Sequence, residues 1–341
     1  MMTNDALTAP TPDAKADDTA SSVRRPWVRR LLTWGVAVLA LAFVVRVVPF
    51  ADRCTEAGCE PGLWTTLRSA TAPAIAALFA LYLLGTLAWA ARWRALLGVA
   101  GVDLPLLRVW RVTIEAQAGG ILLPGGVGGD ALRVAYVRSA APDADMGKIF
   151  ASILADRVVG LITLSGLATA LAFAYGASDL GQALPILAAI PVCSVLGWFA
   201  LRAPFVRNLS ILRRGLIARL AQPILEYASA PGGPAALRKG LALSVVVSVV
   251  QLLVVRGFVA ALGAHPTHES WVFVGTTLSM MVGAVPALPG AWGTADVAYV
   301  LFLTRAGIPA STAAASCLLY RMFWYSTAII GAMLALGRRS K

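Results

Sequence analysis

Six apolar runs, at 31–50, 70–91, 150–176, 183–201, 240–263 and 311–336, are each long enough to cross about 30 Å of hydrocarbon as a helix. Runs of this length leave few architectures open, because lipid offers no partner for free backbone N–H and C=O groups. The predicted fold is therefore an all-α polytopic membrane protein with about six transmembrane helices. Two further apolar stretches, near 112–124 and 271–288, run into Pro-Gly clusters instead of charged loops. They are expected to be re-entrant hairpins.

Composition agrees. Of 341 residues 58% are hydrophobic and 13% charged, too little polar sequence to cover a soluble surface. A cytosolic enzyme is excluded. The net charge of +12 does not point to nucleic acid, since that function needs a basic solvated face on a modest core. The basic residues instead carry topology. Five lie in the N-terminal tail, seven in 92–148, seven in 202–239 and three at the C-terminal end. Only Arg53, Arg68 and Arg305 fall in the opposite loops. This positive-inside bias places both termini in the cytoplasm. Residues 1–23 are polar and are expected to form a disordered cytoplasmic tail, with one transmembrane domain over 24–341. The basic cluster Arg24, Arg25, Arg29 and Arg30 follows that tail, so 31–50 is expected to be a retained helix rather than a cleaved signal.

Cys54 and Cys59 fall in the first outside loop, where an oxidising compartment permits a disulfide; two unpaired thiols are the alternative. Cys193 and Cys317 lie in apolar spans and are expected to pack there. Two histidines, His265 and His268, and no CxxC pair leave no expected metal site.

A self-similarity at an offset of about 164 residues adds the second constraint. PGGVGGD at 124–130 is followed by ASILADRVVGLITL at 151–164; PGAWGTAD at 289–296 is followed by ASCLLYRMFWYSTA at 315–328. Arg92, Pro124 and Arg157 are spaced by 32 and 33 residues, and Arg256, Pro289 and Arg321 by 33 and 32. The units, about 73–174 and 240–337, begin on opposite sides by the charge count, so they form an inverted repeat, an architecture of transporters. Glycine permits a close backbone approach and proline stops a helix. A helix broken at membrane depth presents free N–H groups that favour anions. No Gly-Lys-Ser/Thr follows either motif, so neither is a nucleotide loop.

Arginine inside a bilayer is costly, about 2.5–3.5 kcal/mol by insertion scales, and needs a reason. Arg157, Arg256 and Arg321 could hold phosphate through their planar forks. Equally, they could pair with Glu115, Asp130, Asp156 or Asp296 as structural glue. Arg46 and Arg92 are expected to snorkel to the interface.

At these residues the sequence resembles the lysylphosphatidylglycerol synthase transmembrane, or flippase-like, family, which includes the membrane half of the multiple peptide resistance factor. The resemblance covers about 30–338. Its first motif falls on Pro124, Gly125, Gly126, Gly128, Gly129 and Asp130, followed by Arg133, and its acid-arginine pair on Asp156 and Arg157. Its second motif falls on Pro289, Gly290 and Gly293, and its final arginine on Arg321. Ala291 and Trp292 depart from the usual Pro-Gly-Gly, and Asp296 stands where glutamate is usual.

The resemblance implies movement of an anionic phospholipid or a polyprenyl-phosphate type of lipid between leaflets of a bacterial cytoplasmic membrane. It implies no aminoacyl-lipid synthesis, no catalytic residues and no cofactor, with a separate synthase as a possible partner. Alternatives are an integral-membrane enzyme acting on a lipid phosphate, or a scaffold for a synthase or glycosyltransferase.

Overall fold

The computed structural model describes residues 42, 46–55, 58–122, 127–175, 183–203, 215–284 and 293–339. The tail at 1–23 and most of the apolar run at 31–50 lie outside the described residues. A small antiparallel ribbon opens the described fold, with β1 (Arg53–Thr55) pairing β2 (Gly58–Glu60) and a disulfide joining Cys54 to Cys59. The Asp52 carboxylate accepts the Gly62 N–H at 2.6 Å. That bond holds its pKa below the ordinary carboxylate value.

Helices follow: α1 (Leu63–Ser69), α2 (Ala72–Val99), α3 (Leu106–Leu122), α4 (Val127–Ala140), α5 (Met146–Ala174), α6 (Ala183–Arg202), α7 (Gly215–Ser229), α8 (Gly233–Ala261), α9 (Glu269–Ala284), α10 (Thr294–Arg305) and α11 (Ala310–Arg339). Local sequence sets several of their ends. Proline stands in the first turn of both α2 and α8, where its missing N–H costs nothing. Asp145 caps α5 by accepting the N–H groups of Gly147 and Lys148.

Four helices, α2, α5, α8 and α11, are long and apolar enough to cross a membrane. Large apolar side chains on their outer faces, among them Leu84, Phe173, Leu253 and Met333, are exposed. On α6 the exposed residues Val192, Leu196 and Phe199 recur at helical spacing and form one stripe. A chain with this much outward apolar surface is a multi-pass membrane protein.

The same element pattern occurs twice. The helices α2 to α5 measure 28, 17, 14 and 29 residues, and α8 to α11 measure 29, 16, 12 and 30. In each set two long helices bracket a pair of short ones. The leading helices lie side by side and run antiparallel: Leu78 packs over Gly257, Val250 over Gly85, Arg92 against Ser244 and Leu96 against Gly240. As the number rises along α2 it falls along α8.

The two sets also interlock. Short helix α3 packs on α11, the last helix of the other set, and α9 packs on α5. Gly331 of α11 meets the backbone of Ile114 and Glu115 in α3, and Thr327 donates to Gln117 at 2.6 Å beside it. A Cβ at 331 would overlap the Ile114 carbonyl, and backbone cannot swing aside as a side chain does. Gly331→Ala is therefore expected to destabilise the fold by about 1–3 kcal/mol, measured as a lower thermal midpoint in detergent.

Candidate functional site

Where the two sets meet they leave a cavity of about 510 Å³. All eight helices from α2 to α5 and α8 to α11 contribute to its wall. Among the described residues, four arginines and three aspartates line it: Arg92, Arg133, Arg157 and Arg321 with Asp130, Asp156 and Asp296.

Two ion pairs stand at matched positions. Asp130, in the first turn of α4, accepts both Nε and Nη2 of Arg157 on α5, at 2.9 and 2.5 Å. Asp296, in the first turn of α10, accepts Nε of Arg321 on α11 at 2.7 Å. In both sets, then, the acid beginning the second short helix holds an arginine on the following long helix. An acid in a first turn also favours the positive end of the helix dipole. The pairs differ in access. The Arg157 side chain is 41% exposed and that of Arg321 13%.

Asp296 has a second task. Its Oδ2 accepts the N–H of Gly293 at 3.0 Å, which caps α10, while Oδ1 serves Arg321 and the Cys317 thiol. Gly293 has φ +82°, the left-handed region that a Cβ disfavours. Gly293→Ala is expected to cost about 1–2 kcal/mol in thermal stability and to loosen Arg321. Circular dichroism melts of the purified variant check this.

A buried cluster fills the wall between α2, α4, α5 and α8. Arg92 donates from Nε to Asp156 Oδ1 at 2.6 Å and from Nη1 to Ser244 at 2.7 Å. Asp156 Oδ2 accepts the Trp89 indole N–H at 3.0 Å and lies 3.6 Å from Nη1 of Arg133. The Arg133 guanidinium sits against the Trp89 and Trp93 rings, 4.7 and 4.8 Å from their centroids. Such stacking suits its planar, weakly hydrated cation.

Tyr82, Tyr299 and Tyr320 also line the cavity: Tyr82 meets Tyr320 edge to face, as Phe79 and Phe258 meet Phe323 in the adjoining core, and Tyr299 hydrogen-bonds Ser316. The matched helices therefore frame a cavity with an acid-arginine pair from each set and a denser ionic cluster on the side of the first.

The sequence that builds this site matches known sequences over most of its length. The family described as "Lysylphosphatidylglycerol synthase TM region" matches residues 61–331. The chain belongs to that family. One relative is the UPF0104 membrane protein PH1989 of Pyrococcus horikoshii. It is 24% identical over 292 residues, covering 76% of this chain and 85% of the relative. Membership of the lysylphosphatidylglycerol synthase transmembrane family ties the chain to membrane lipid metabolism or transport.

Within this family member the residues singled out by sequence fall into four groups. Asp130, Arg133, Asp156, Arg157, Asp296 and Arg321 line the cavity together, and Gly129 lines it beside them. Gly119 and Gly129 let α3 and α4 approach closely: a Cβ at 119 would sit 2.9 Å from the Gly128 carbonyl, and one at 129 would sit 2.7 Å from the Ala116 carbonyl. Gly293 caps α10 just behind Asp296. Pro124, Gly125, Gly126, Pro289 and Gly290 lie outside the described residues.

Arg256 does not line the cavity. It pairs with Glu269 at the start of α9, at 2.8–3.1 Å, on the partly exposed edge of the fold. Arg92, expected to snorkel, is instead buried against Asp156, because a carboxylate and a serine hydroxyl meet it inside the protein. Sequence reasoning passed over Trp89, Trp93 and Ser244. The signals for this cluster were the register of Arg92 with Arg256 and the motif that falls on Arg133 and Asp156.

Proposed function

We propose that the protein is a lipid translocase: it moves an anionic phospholipid or a lipid-linked phosphate between membrane leaflets and leaves the lipid chemically unchanged. The observation that carries this reading is the cavity walled by both helix sets, with a matched acid-arginine pair from each. A phosphate can replace the aspartate on either arginine through the same fork geometry, so a headgroup is received by exchange of partners. Chains remain in the bilayer beside the apolar outer faces.

The antiparallel α2–α8 pair supports an inverted repeat, in which exchange of the two sets' conformations opens the cavity to alternate sides. In this reading α3–α4 and α9–α10 are re-entrant hairpins. Residues 31–50 and α6 complete six spans, and both termini face the cytoplasm, as the basic residues dictate. A separate synthase would supply the lipid.

A photoactivatable phospholipid reconstituted with the protein tests the site. Label is expected on peptides of α4, α5 and α11, with recovered lipid of unchanged mass. Label confined to the outer faces, or a lipid of altered mass, would count against translocation through this cavity.

A further inference from the structure

Among the described residues, the charge on the cavity wall is unbalanced by one. Asp130 matches Arg157 and Asp296 matches Arg321, each at hydrogen-bond distance. Asp156 is left to serve two guanidiniums, Arg92 and Arg133. The side chains of Asp156 and Arg133 are 2% and 5% exposed. Among the described residues lining the cavity there is no other ionisable acid or base than these seven and weakly acidic tyrosine and cysteine. The neighbouring segments 123–126 and 285–292 contain no charged residue in sequence. The nearby Arg111 and Glu115 neutralise each other at 2.8 Å.

An unmatched charge away from water is costly, by several kcal/mol per ion. A monoanion in the cavity brings the total to zero. A dianion leaves an excess of one negative charge, and a zwitterion leaves the positive excess in place. Most of Arg133 faces the tryptophan rings, which offer no anion of their own.

We propose that the cavity selects a lipid phosphodiester carrying one negative charge over phosphomonoesters and pyrophosphates, the Arg92–Asp156–Arg133 cluster supplying the unmatched positive charge. The proposal rests on the cavity being the lipid site described above. Glycerophospholipids and glycosylated polyprenyl phosphates share this chemistry.

Binding to the purified full chain in neutral detergent tests it, read by tryptophan fluorescence, since Trp89 and Trp93 flank Arg133. The probes are short-chain phosphatidylglycerol and phosphatidic acid, and a farnesyl phosphate hexose diester and farnesyl monophosphate. At about pH 9, above the second phosphate ionisation, the monoesters carry two charges. Each diester is expected to bind about tenfold or more tightly than its monoester, the scale of one unmatched charge at a partly screened site. The tighter diester identifies the lipid source.

Asp130→Asn, at the most accessible pair, adds a second unmatched charge and should move the ratio toward the monoesters by about tenfold. Arg133→Met removes the first and should bring phosphatidylglycerol down to the affinity of short-chain phosphatidylcholine. Monoesters bound as tightly as diesters by the wild type, or a ratio unmoved in Asp130→Asn, would overturn the charge-matching proposal while leaving translocation standing. Absence of any lipid binding would overturn both.

Discussion

Asp156→Ala is expected to be the most damaging single substitution in the protein, costing about 3–5 kcal/mol, because it leaves two guanidiniums buried without their acid. Asp156 receives Arg92 at 2.6 Å and the Trp89 indole at 3.0 Å, and it is the acid nearest Arg133. Its loss also strands the Trp89 N–H inside the wall. Thermal unfolding in detergent and the fraction recovered as a monodisperse species measure the effect. Arg133→Met should be much milder, because it removes the surplus cation, leaves Arg92 and Asp156 matched one to one, and keeps an apolar side chain between the two rings. Equal losses from the two variants would show that the cluster is held by packing rather than by charge.

Arg157→Gln is expected to separate function from folding. The pair it breaks is half open to the cavity, with Arg157 41% and Asp130 19% exposed, so its contribution to stability is small, under about 1 kcal/mol. Transfer of lipid should nonetheless fall about 100-fold, since a guanidinium fork holding a desolvated anion is worth a few kcal/mol and glutamine offers neither charge nor fork. Lysine at 157 keeps the charge and loses the planar geometry, so it should restore transfer in part. Arg256→Gln makes the contrast: its pair with Glu269 lies away from the cavity, and transfer should stay near wild type. Headgroup transfer rates in vesicles, normalised to folded protein, give all three results.

The long helices were legible in the sequence because bilayer thickness fixes both their length and their hydropathy. That α3 and α4, and α9 and α10, are separate helices was legible because proline and glycine have local effects on a helix. Partners were not. Asp156 and Arg157 are adjacent in the chain, yet successive residues on a helix point about 100° apart. Asp156 therefore turns to Arg92, 64 residues away, and Arg157 to Asp130, 27 residues away. Nothing local encodes those distances.

The repeat misled in one respect. Arg92 and Arg256 are registered in sequence, but the residue matching Asp156 in the second set is Tyr320. Without an acid there, Arg256 meets Glu269 at the edge while Arg92 is drawn into the wall. Repeated backbone geometry thus carries different partners in its two halves: Asp156 gathers Arg92 and Arg133 in the first, and Tyr320 stands in its place in the second.

Headgroup accessibility in proteoliposomes measures translocation itself. Purified full-length protein is reconstituted with phospholipid labelled on the headgroup in both leaflets, and a membrane-impermeant reagent is added outside. Label initially in the inner leaflet is expected to become reactive in vesicles holding wild-type protein, and to stay protected in empty vesicles and in those holding Arg157→Gln. Inner-leaflet label that remains protected with a folded wild-type preparation, across phosphodiester and phosphomonoester lipids alike, would contradict it.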